Sequence, residues 1–437
     1  MAIKSLLKNI VTGILRWEAR VILNKYKPKI ITVTGNVGKT STKDAIFYLL
    51  TENYNIRRSE KSYNSELGVP LTVLDQKSGW SSIFSWAKII ISSLKLFFTQ
   101  LDYPKWLVLE VGADHPGDIK NTASWLQSDV VVITRLPEVP VHIQFFKDKE
   151  EVIEEKLSLL NSLKKDGVAI LNADDQILSS RINTNSAGFK VVTYGFGDEA
   201  DIKAVNLNII YTENKLPIGI KFDVQKRDEI YPMYLKGLLG RHQVYSILAS
   251  IAVAISIDDS VSLKEIIGIL EKNYILPPGR MRLLTGINNS LILDDTYNSS
   301  PEAVKSAISS ISSLDHTKRK IAVLGDMLEL GQFTEQAHRE IGQKVSQVFD
   351  ILITVGNYSK FINEEAVSSG MNSSSAFHFS DSATAGLELQ KMIQSGDLIL
   401  VKGSQGIRME KIVALIMTDV SNKNDLLCRQ DAEWSLK

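Results

Sequence analysis

Gly35, Gly38, Lys39 and Thr40 are the residues of this chain whose types and spacing most clearly suit chemistry. They stand in Ile30-Ile-Thr-Val-Thr-Gly-Asn-Val-Gly-Lys-Thr-Ser41, where an apolar strand pattern runs into a helical one. The glycines let the backbone turn tightly, so that N–H groups from Gly35, Asn36, Val37 and Gly38 can face phosphate oxygens. Lys39 is then placed to reach the β- and γ-phosphates and the Thr40 hydroxyl to ligate Mg²⁺. The helix beginning near Ser41 turns its positive dipole end toward the same anion. A glycine turn that merely precedes a lysine is the plainer reading. The strand before it and the helical pattern Lys43–Leu50 after it speak against that. Val33 holds the place where the longer form of such a loop opens with glycine.

Further residues could serve a phosphoryl-transfer site. Glu110 ends a strand pattern in Leu107-Val-Leu-Glu-Val-Gly112, at the strand edge where doubly wound sheets bind ligands, and its expected work there is Mg²⁺ ligation. A strand-end salt bridge is the competing account. His142 follows the next strand and its loop and is expected at the same edge, although an isolated histidine is more often structural. Lys156 lies in the helical pattern Glu150–Leu163, where its neighbours at three and four residues are Val152, Ile153, Leu159 and Leu160. Such a lysine either lays its stem on the core and lifts the ammonium to water, or aims it into a site. Asp294-Asp-Thr-Tyr-Asn-Ser-Ser-Pro301 suits a ribose or metal contact, and an Asp-capped turn explains its acids almost as well. Leu400-Val-Lys-Gly-Ser404 puts a lysine and a flexible glycine at another strand edge, as an anion contact would need.

The elements that must position these groups alternate between strand and helix, which predicts an α/β fold with a mostly parallel sheet. Candidate strands are Ile30–Thr34, Trp106–Val111, Val130–Thr134, Val168–Leu171 and Val191–Tyr194, followed by an antiparallel flap over 201–235. Helices are expected over 4–25, Gln243–Ile257 and Ser262–Asn273. Leu276-Pro-Pro-Gly279 is the expected domain boundary, since two prolines and a glycine cannot continue a helix. Beyond it a second, Rossmann-like α/β unit is expected, with strands near Leu291–Asp294, Lys320–Leu324, Ile351–Val355 and Leu398–Val401. The resulting division is an N-terminal amphipathic helix over 1–29, a central domain over 30–278, a C-terminal domain over 279–420 and a frayed polar tail over 421–437.

A length of 437 residues fits two or three domains, and 50 basic against 50 acidic residues supply no broad positive field for nucleic acid. The single cysteine, Cys428, rules out an intramolecular disulfide and suits a reducing cytosol; no cleavable signal peptide is expected.

Nine segments then occur in a fixed order: Thr34-Gly-Asn-Val-Gly-Lys-Thr-Ser-Thr-Lys43, Asn64-Ser-Glu-Leu-Gly-Val-Pro70, Glu110-Val-Gly-Ala-Asp-His-Pro-Gly-Asp118, Asn172-Ala-Asp-Asp175, Gly240-Arg-His242, Gly279-Arg280, Asp294-Asp-Thr-Tyr-Asn298, Gly325-Asp-Met-Leu-Glu-Leu-Gly331 and Val401-Lys-Gly-Ser404. Together they resemble the Mur ligases, most closely those that add D-alanyl-D-alanine. The resemblance implies an ATP-dependent amide ligase of cell-wall synthesis, which phosphorylates a carboxylate and lets an amine attack the acyl phosphate. It implies that Lys39 and Thr40 hold the phosphates and Mg²⁺, that Glu110 and His142 serve two metal sites, and that Lys156, fourteen residues after His142, is a carbamylated metal ligand. By the same match Arg280, Asp295 and Tyr297 contact ATP, and Lys402 and Ser404 position the amine-bearing substrate.

Three departures qualify the match. Gln243 and Ser246 replace the asparagines that approach adenine, and Gln405 stands where arginine is frequent. Only residues 1–29 precede the first strand, too few for the family's UDP-binding domain, so the acceptor is expected to be UDP-linked but held elsewhere, or lipid-linked. The third is residues 79–101, which look inserted. Ser81, Ser85, Lys88, Ser92, Lys95 and Thr99 form a narrow polar stripe on an otherwise apolar helix with Trp80, Phe84, Trp86, Phe97 and Phe98. Two lysines argue against a spanning helix; an interfacial helix on the inner face of a membrane and a helix packed on the protein's own core both fit. The other readings left open are a further ligase of the superfamily, such as a folate polyglutamylase, and a membrane-associated nucleotide-binding module without catalysis.

Overall fold

Runs of β-branched and apolar residues build the strands, and the computed structural model orders them into two sheets. It describes residues 2–60, 63–79, 82–98, 102–136, 143–182, 188–213, 215–315, 318–430 and 434. The first sheet comprises β1 (Lys29–Thr34), β2 (Ile56–Arg58), β3 (Trp106–Glu110), β4 (Ser128–Ile133), β5 (Leu163–Asn172), β6 (Lys190–Gly195), β7 (Ile202–Tyr211), β8 (Pro217–Lys226) and β9 (Glu229–Lys236). Their order is β2-β3-β1-β4-β5-β6-β7-β8-β9, parallel from β2 to β7 and antiparallel beyond. The chain leaves β1 toward β2 and β3 on one side and β4 on the other, so the phosphate loop after β1 sits at the switch point of the sheet. Register sets Val33 beside Glu110.

The second sheet comprises β10 (Arg282–Thr285), β11 (Leu291–Asp295), β12 (Lys320–Gly325), β13 (Ile351–Val355), β14 (Ala376–Phe379) and β15 (Leu398–Lys402), in the order β10-β11-β15-β12-β13-β14. Only β10 runs antiparallel to its neighbour. β15 therefore inserts between β11 and β12, and its register aligns Lys402 with Asp295. An apolar cluster runs from beneath the helix Arg241–Ile257, through Val244, Ile247 and Ile251, into Leu293, Val304 and Leu324 of the second unit. The opposite face of the first sheet is covered by a second cluster, to which the N-terminal helix Ala2–Tyr26 contributes Leu15, Ala19 and Ile22.

Four expectations need correction. The stretch 201–235 is antiparallel as expected, through β7, β8 and β9, but it is part of the main sheet: Tyr194 and Gly195 of β6 pair in parallel with Ile202 and Lys203 of β7. The helix bearing Lys156 spans only Lys149–Leu157; a 3₁₀ segment, Ser158–Ser162, then tightens the chain into β5. The short strands β2, β10 and β14 escape a periodicity reading because three or four residues carry too little pattern. Lastly, 421–437 is not simply a frayed tail. Leu427 and Cys428 are buried, and the Arg429 side chain is packed away from water by the Glu410 carboxylate and the Tyr297 ring.

Candidate active site

The loop between β1 and the helix Lys39–Leu50 adopts a backbone that glycine alone meets without strain at two places. Gly35 has φ +140°, and a Cβ there would stand 2.0 Å from the Thr134 hydroxyl; Gly38, with φ +88°, caps the helix with no side chain over its N-terminus. Thr134 in turn donates to the Val37 carbonyl at 2.8 Å, and the Asn36 N–H donates to Arg135 O at 2.7 Å, so the neighbouring strand end fixes the loop. The helix N-terminus is left open as an anion site.

Two lysines converge on this loop. Lys39 Nζ donates to the carbonyls of Gly35 (2.9 Å) and Asn36 (3.3 Å), and Lys156 Nζ donates to Gly35 O at 3.2 Å. Lys156 is buried and its ammonium meets the underside of the loop rather than water, so it does not lift to solvent. Burial pushes Lys156 down to about 7, the Lys39 cation presses the same way, and Glu155 and Asp114 oppose. Lys39 is likewise lowered, first by burial, with Glu110 opposing. Adjacent Glu155 serves structure, accepting N–H bonds from Gly117, Ile119 and Lys120.

Glu110 is buried and accepts from the Thr40 hydroxyl (2.9 Å) and the Asn64 amide (3.2 Å). From the second unit, Arg280 Nη2 donates to Thr40 Oγ1 at 3.1 Å, bridging 240 residues of sequence, and its guanidinium stacks 4.0 Å from the Tyr297 ring centroid. Lys402 forms a buried ion pair with Asp295 at 2.6 Å, as the register dictates, and also donates to Asn298 O at 3.0 Å. Ser404 Oγ accepts from the Leu328 N–H at 2.9 Å. Gln243 spends its amide on Arg280 O (3.0 Å), while Ser246 lies near the Cα of Gly38.

These groups surround a cleft of about 840 Å³ between the two sheets. Asn36, Val37, Gly38, Lys39, Thr40 and Ser41 line it from below, with Glu110; Arg280, Asp295, Tyr297, Lys402 and Ser404 line it from the second unit. Gly35 and Lys156 lie beneath the loop rather than on the wall, and His142 lies outside the described residues. Asn36 Nδ2, His242 Nδ1, Arg280 Nε and Ser299 Oγ are buried polar atoms without a hydrogen-bond partner among the described residues, and all four residues face this cleft. Buried polar atoms rarely go unpaired, so their convergence marks the place of a polar ligand. Burial lowers the His242 imidazole to about 4, which keeps it neutral. Among the described residues no group of three or more His, Cys, Asp and Glu side chains forms a ready-made metal cage. Sequence reasoning assigned no role to Asn64, Arg408 or Trp434. Asn64 was signalled by its segment, whereas the other two reach the cleft only through tertiary folding.

Comparison with known proteins places the chain in a family. The family model described as Mur ligase middle domain matches residues 89–254, and that described as Mur ligase, glutamate ligase domain matches 279–405. The chain belongs to the Mur ligase family. This Mur ligase is 29% identical, over 90% of its length and 77% of the relative's, to the UDP-N-acetylmuramoyl-tripeptide–D-alanyl-D-alanine ligase of Bacillus subtilis (strain 168). It is 26% identical to the protein of that name from Escherichia coli (strain K12), over 88% of this chain and 76% of the other. In fold it resembles the MurF ligase of Thermotoga maritima solved with ADP, with a TM-score of 0.74, 24% identity, and 95% and 84% of the two chains covered. As a member of the family, it is an ATP-dependent amide ligase.

Proposed function

We propose that this Mur ligase joins the amino group of D-alanyl-D-alanine, or a closely similar amine, to the terminal carboxylate of a cell-wall peptide precursor, with the cleft as its active site. The observation that carries the reading is the convergence of unpartnered buried polar atoms on a phosphate loop whose Thr40 is held from both sheet systems, by Glu110 and Arg280. In the reaction a carboxylate oxygen of the acceptor takes the γ-phosphoryl group of ATP, releasing ADP. The amine nitrogen then attacks the acyl carbon, the C–O bond breaks with its electron pair leaving on phosphate, the nitrogen gives up a proton, and the amide remains.

In this reading the loop N–H groups and Lys39 hold the phosphates, while Arg280, Asp295 and Tyr297 meet the nucleotide from the C-terminal unit. Lys402 and Ser404 position the amine. Thr40 and Glu110 offer the hard oxygen donors that Mg²⁺ prefers, and the ion would offset charge on the transferred phosphoryl group. Lys156, whose pKa burial and Lys39 lower to about 7, carries a large neutral fraction near neutral pH and is suited to carbamylation, which would turn a cation into an oxygen ligand for a second metal with His142. We take 30–278 and 279–420 as the two catalytic domains, hinged at Leu276-Pro-Pro-Gly279, with closure completing the site.

The test is Mg²⁺-ATP-dependent phosphate release with UDP-muramoyl-tripeptide, with and without D-alanyl-D-alanine, and identification of the product by mass. Release that requires both supports the assignment. Silence from folded protein that binds ATP overturns the UDP-linked acceptor and favours a second reading, a lipid-linked acceptor met at the inner face of the membrane through 4–25 and 79–101. That second reading draws support from the exposed apolar residues Trp17, Phe84 and Phe98.

A further inference from the structure

The helices Ile83–Ser93 and Lys95–Phe98 divide their residues between two faces. One face is buried: Ile89, Ser93 and Leu96 pack on the core that the N-terminal helix also joins, and Ser93 Oγ donates to Glu18 at 2.6 Å. The other presents Phe84, Lys88, Ile91, Lys95 and Phe98, spaced 4-3-4-3, to the outside. Phe84 is 89% exposed, Ile91 66% and Phe98 87%. On the adjoining helix Trp17 is 56% exposed and its ring stands 5.7 Å from that of Phe97, so the two helices form one continuous surface. Lys25 ties them further, donating to the carbonyls of Leu96 and Phe97.

The charge of this surface is one-sided although the chain as a whole is neutral. Residues 8–29 hold six basic side chains (Lys8, Arg16, Arg20, Lys25, Lys27 and Lys29) against one acid, and 82–98 add Lys88 and Lys95 with no acid. The one acid, Glu18, is buried beneath Ser93 and is not presented on the outer face; burial raises its pKa. Exposed aromatic and aliphatic residues interleaved with lysine are what a headgroup layer binds: the apolar tips enter the acyl boundary while the ammonium groups meet lipid phosphates. No helix among the described residues is long and apolar enough to cross a membrane, so the contact lies on the surface.

We propose that the surface made by Ala2–Tyr26 and Ile83–Phe98 docks on an anionic lipid bilayer. The docking face also has a short path to the cleft. Arg16 pairs with Glu66 at 3.4 Å, and two residues before Glu66 the Asn64 amide holds Glu110. This deepens the second reading above and rests on it for the acceptor, but its test is independent of turnover. The full chain is floated with vesicles of phosphatidylcholine alone and of phosphatidylcholine with roughly one third phosphatidylglycerol. It is expected to float with the anionic vesicles only, and less so at high salt.

The triple variant F84S/I91S/F98S should lose about tenfold or more in partitioning, and K88E/K95E should lose the preference for anionic lipid, with Mg²⁺-ATP binding unchanged in both. Wild-type protein that floats with neither vesicle, or a triple variant that floats as well as wild type, overturns the proposal. A concentration-dependent dimer in sedimentation that the triple variant abolishes also overturns it, by making a second copy the occupant. Should the triple variant fail to fold, K88E/K95E alone decides through the lipid preference. Loss of flotation with intact ligation leaves the ligase reading standing, and intact flotation with no ligation leaves the docking surface standing.

Discussion

Lys156 is an amine that its surroundings hold ready to lose a proton. With its pKa lowered to about 7, the neutral form gains as pH rises through 7, and only the neutral amine reacts with CO₂. Turnover should therefore rise with pH through an acid limb near 7, fall when bicarbonate is stripped, and recover on its return; a profile indifferent to bicarbonate would count against the carbamate. Lys39→Ala should cost at least about a hundredfold in turnover, since a phosphate-contacting cation acts on the transferred charge. Unchanged phosphate release in that variant would remove the phosphate loop from the mechanism. Arg429 donates to the carbonyls of Thr296 and Tyr297 and backs the ring whose other neighbour is Arg280. Arg429→Ala should raise the KM for ATP about five- to tenfold with a smaller change in the KM for the amine, measured in one steady-state series.

At the scale of elements, the β1–helix turn works because its glycines do what other residues cannot. Gly35→Ala would set a methyl against the Thr134 hydroxyl in a positive-φ conformation, and should cost about 1–3 kcal/mol of stability together with nucleotide binding. A melting curve within a degree of wild type, with normal ATP binding, would contradict it. The adjacent strand ends supply the rest of the site through register alone. Val33 against Glu110 and Asp295 against Lys402 are pairings of neighbouring parallel strands, so each carboxylate reaches its place without any loop having to carry it.

For the whole molecule, the cleft exists only where the two sheets meet. Arg280 reaching Thr40 joins the second unit to the loop of the first, and a ligand bound there is held from both sides. A non-hydrolysable ATP analogue at about a hundred times its Kd should raise unfolding free energy by about 2.7 kcal/mol, in a single transition for the whole chain, and not in Lys39→Ala. Two transitions, of which only one moves with nucleotide, would show that the units melt apart and that the cleft does not couple them.

The amino-acid sequence by itself determined the phosphate loop, most of the strands and the family, because each rests on contiguous residues whose spacing and backbone freedom act locally. Nine short segments in order were enough for that. Tertiary structure alone decided that Lys156 meets Gly35 across 121 residues, that Arg280 reaches Thr40, and that 201–236 extends the sheet. It also decided that Leu427–Arg429 pack inside a segment that reads as a polar tail, and which face of Ile83–Phe98 is left outside. These outcomes depend on which surfaces cover one another, and burial of an apolar face or a charge is a property of the assembled layers rather than of any window of sequence.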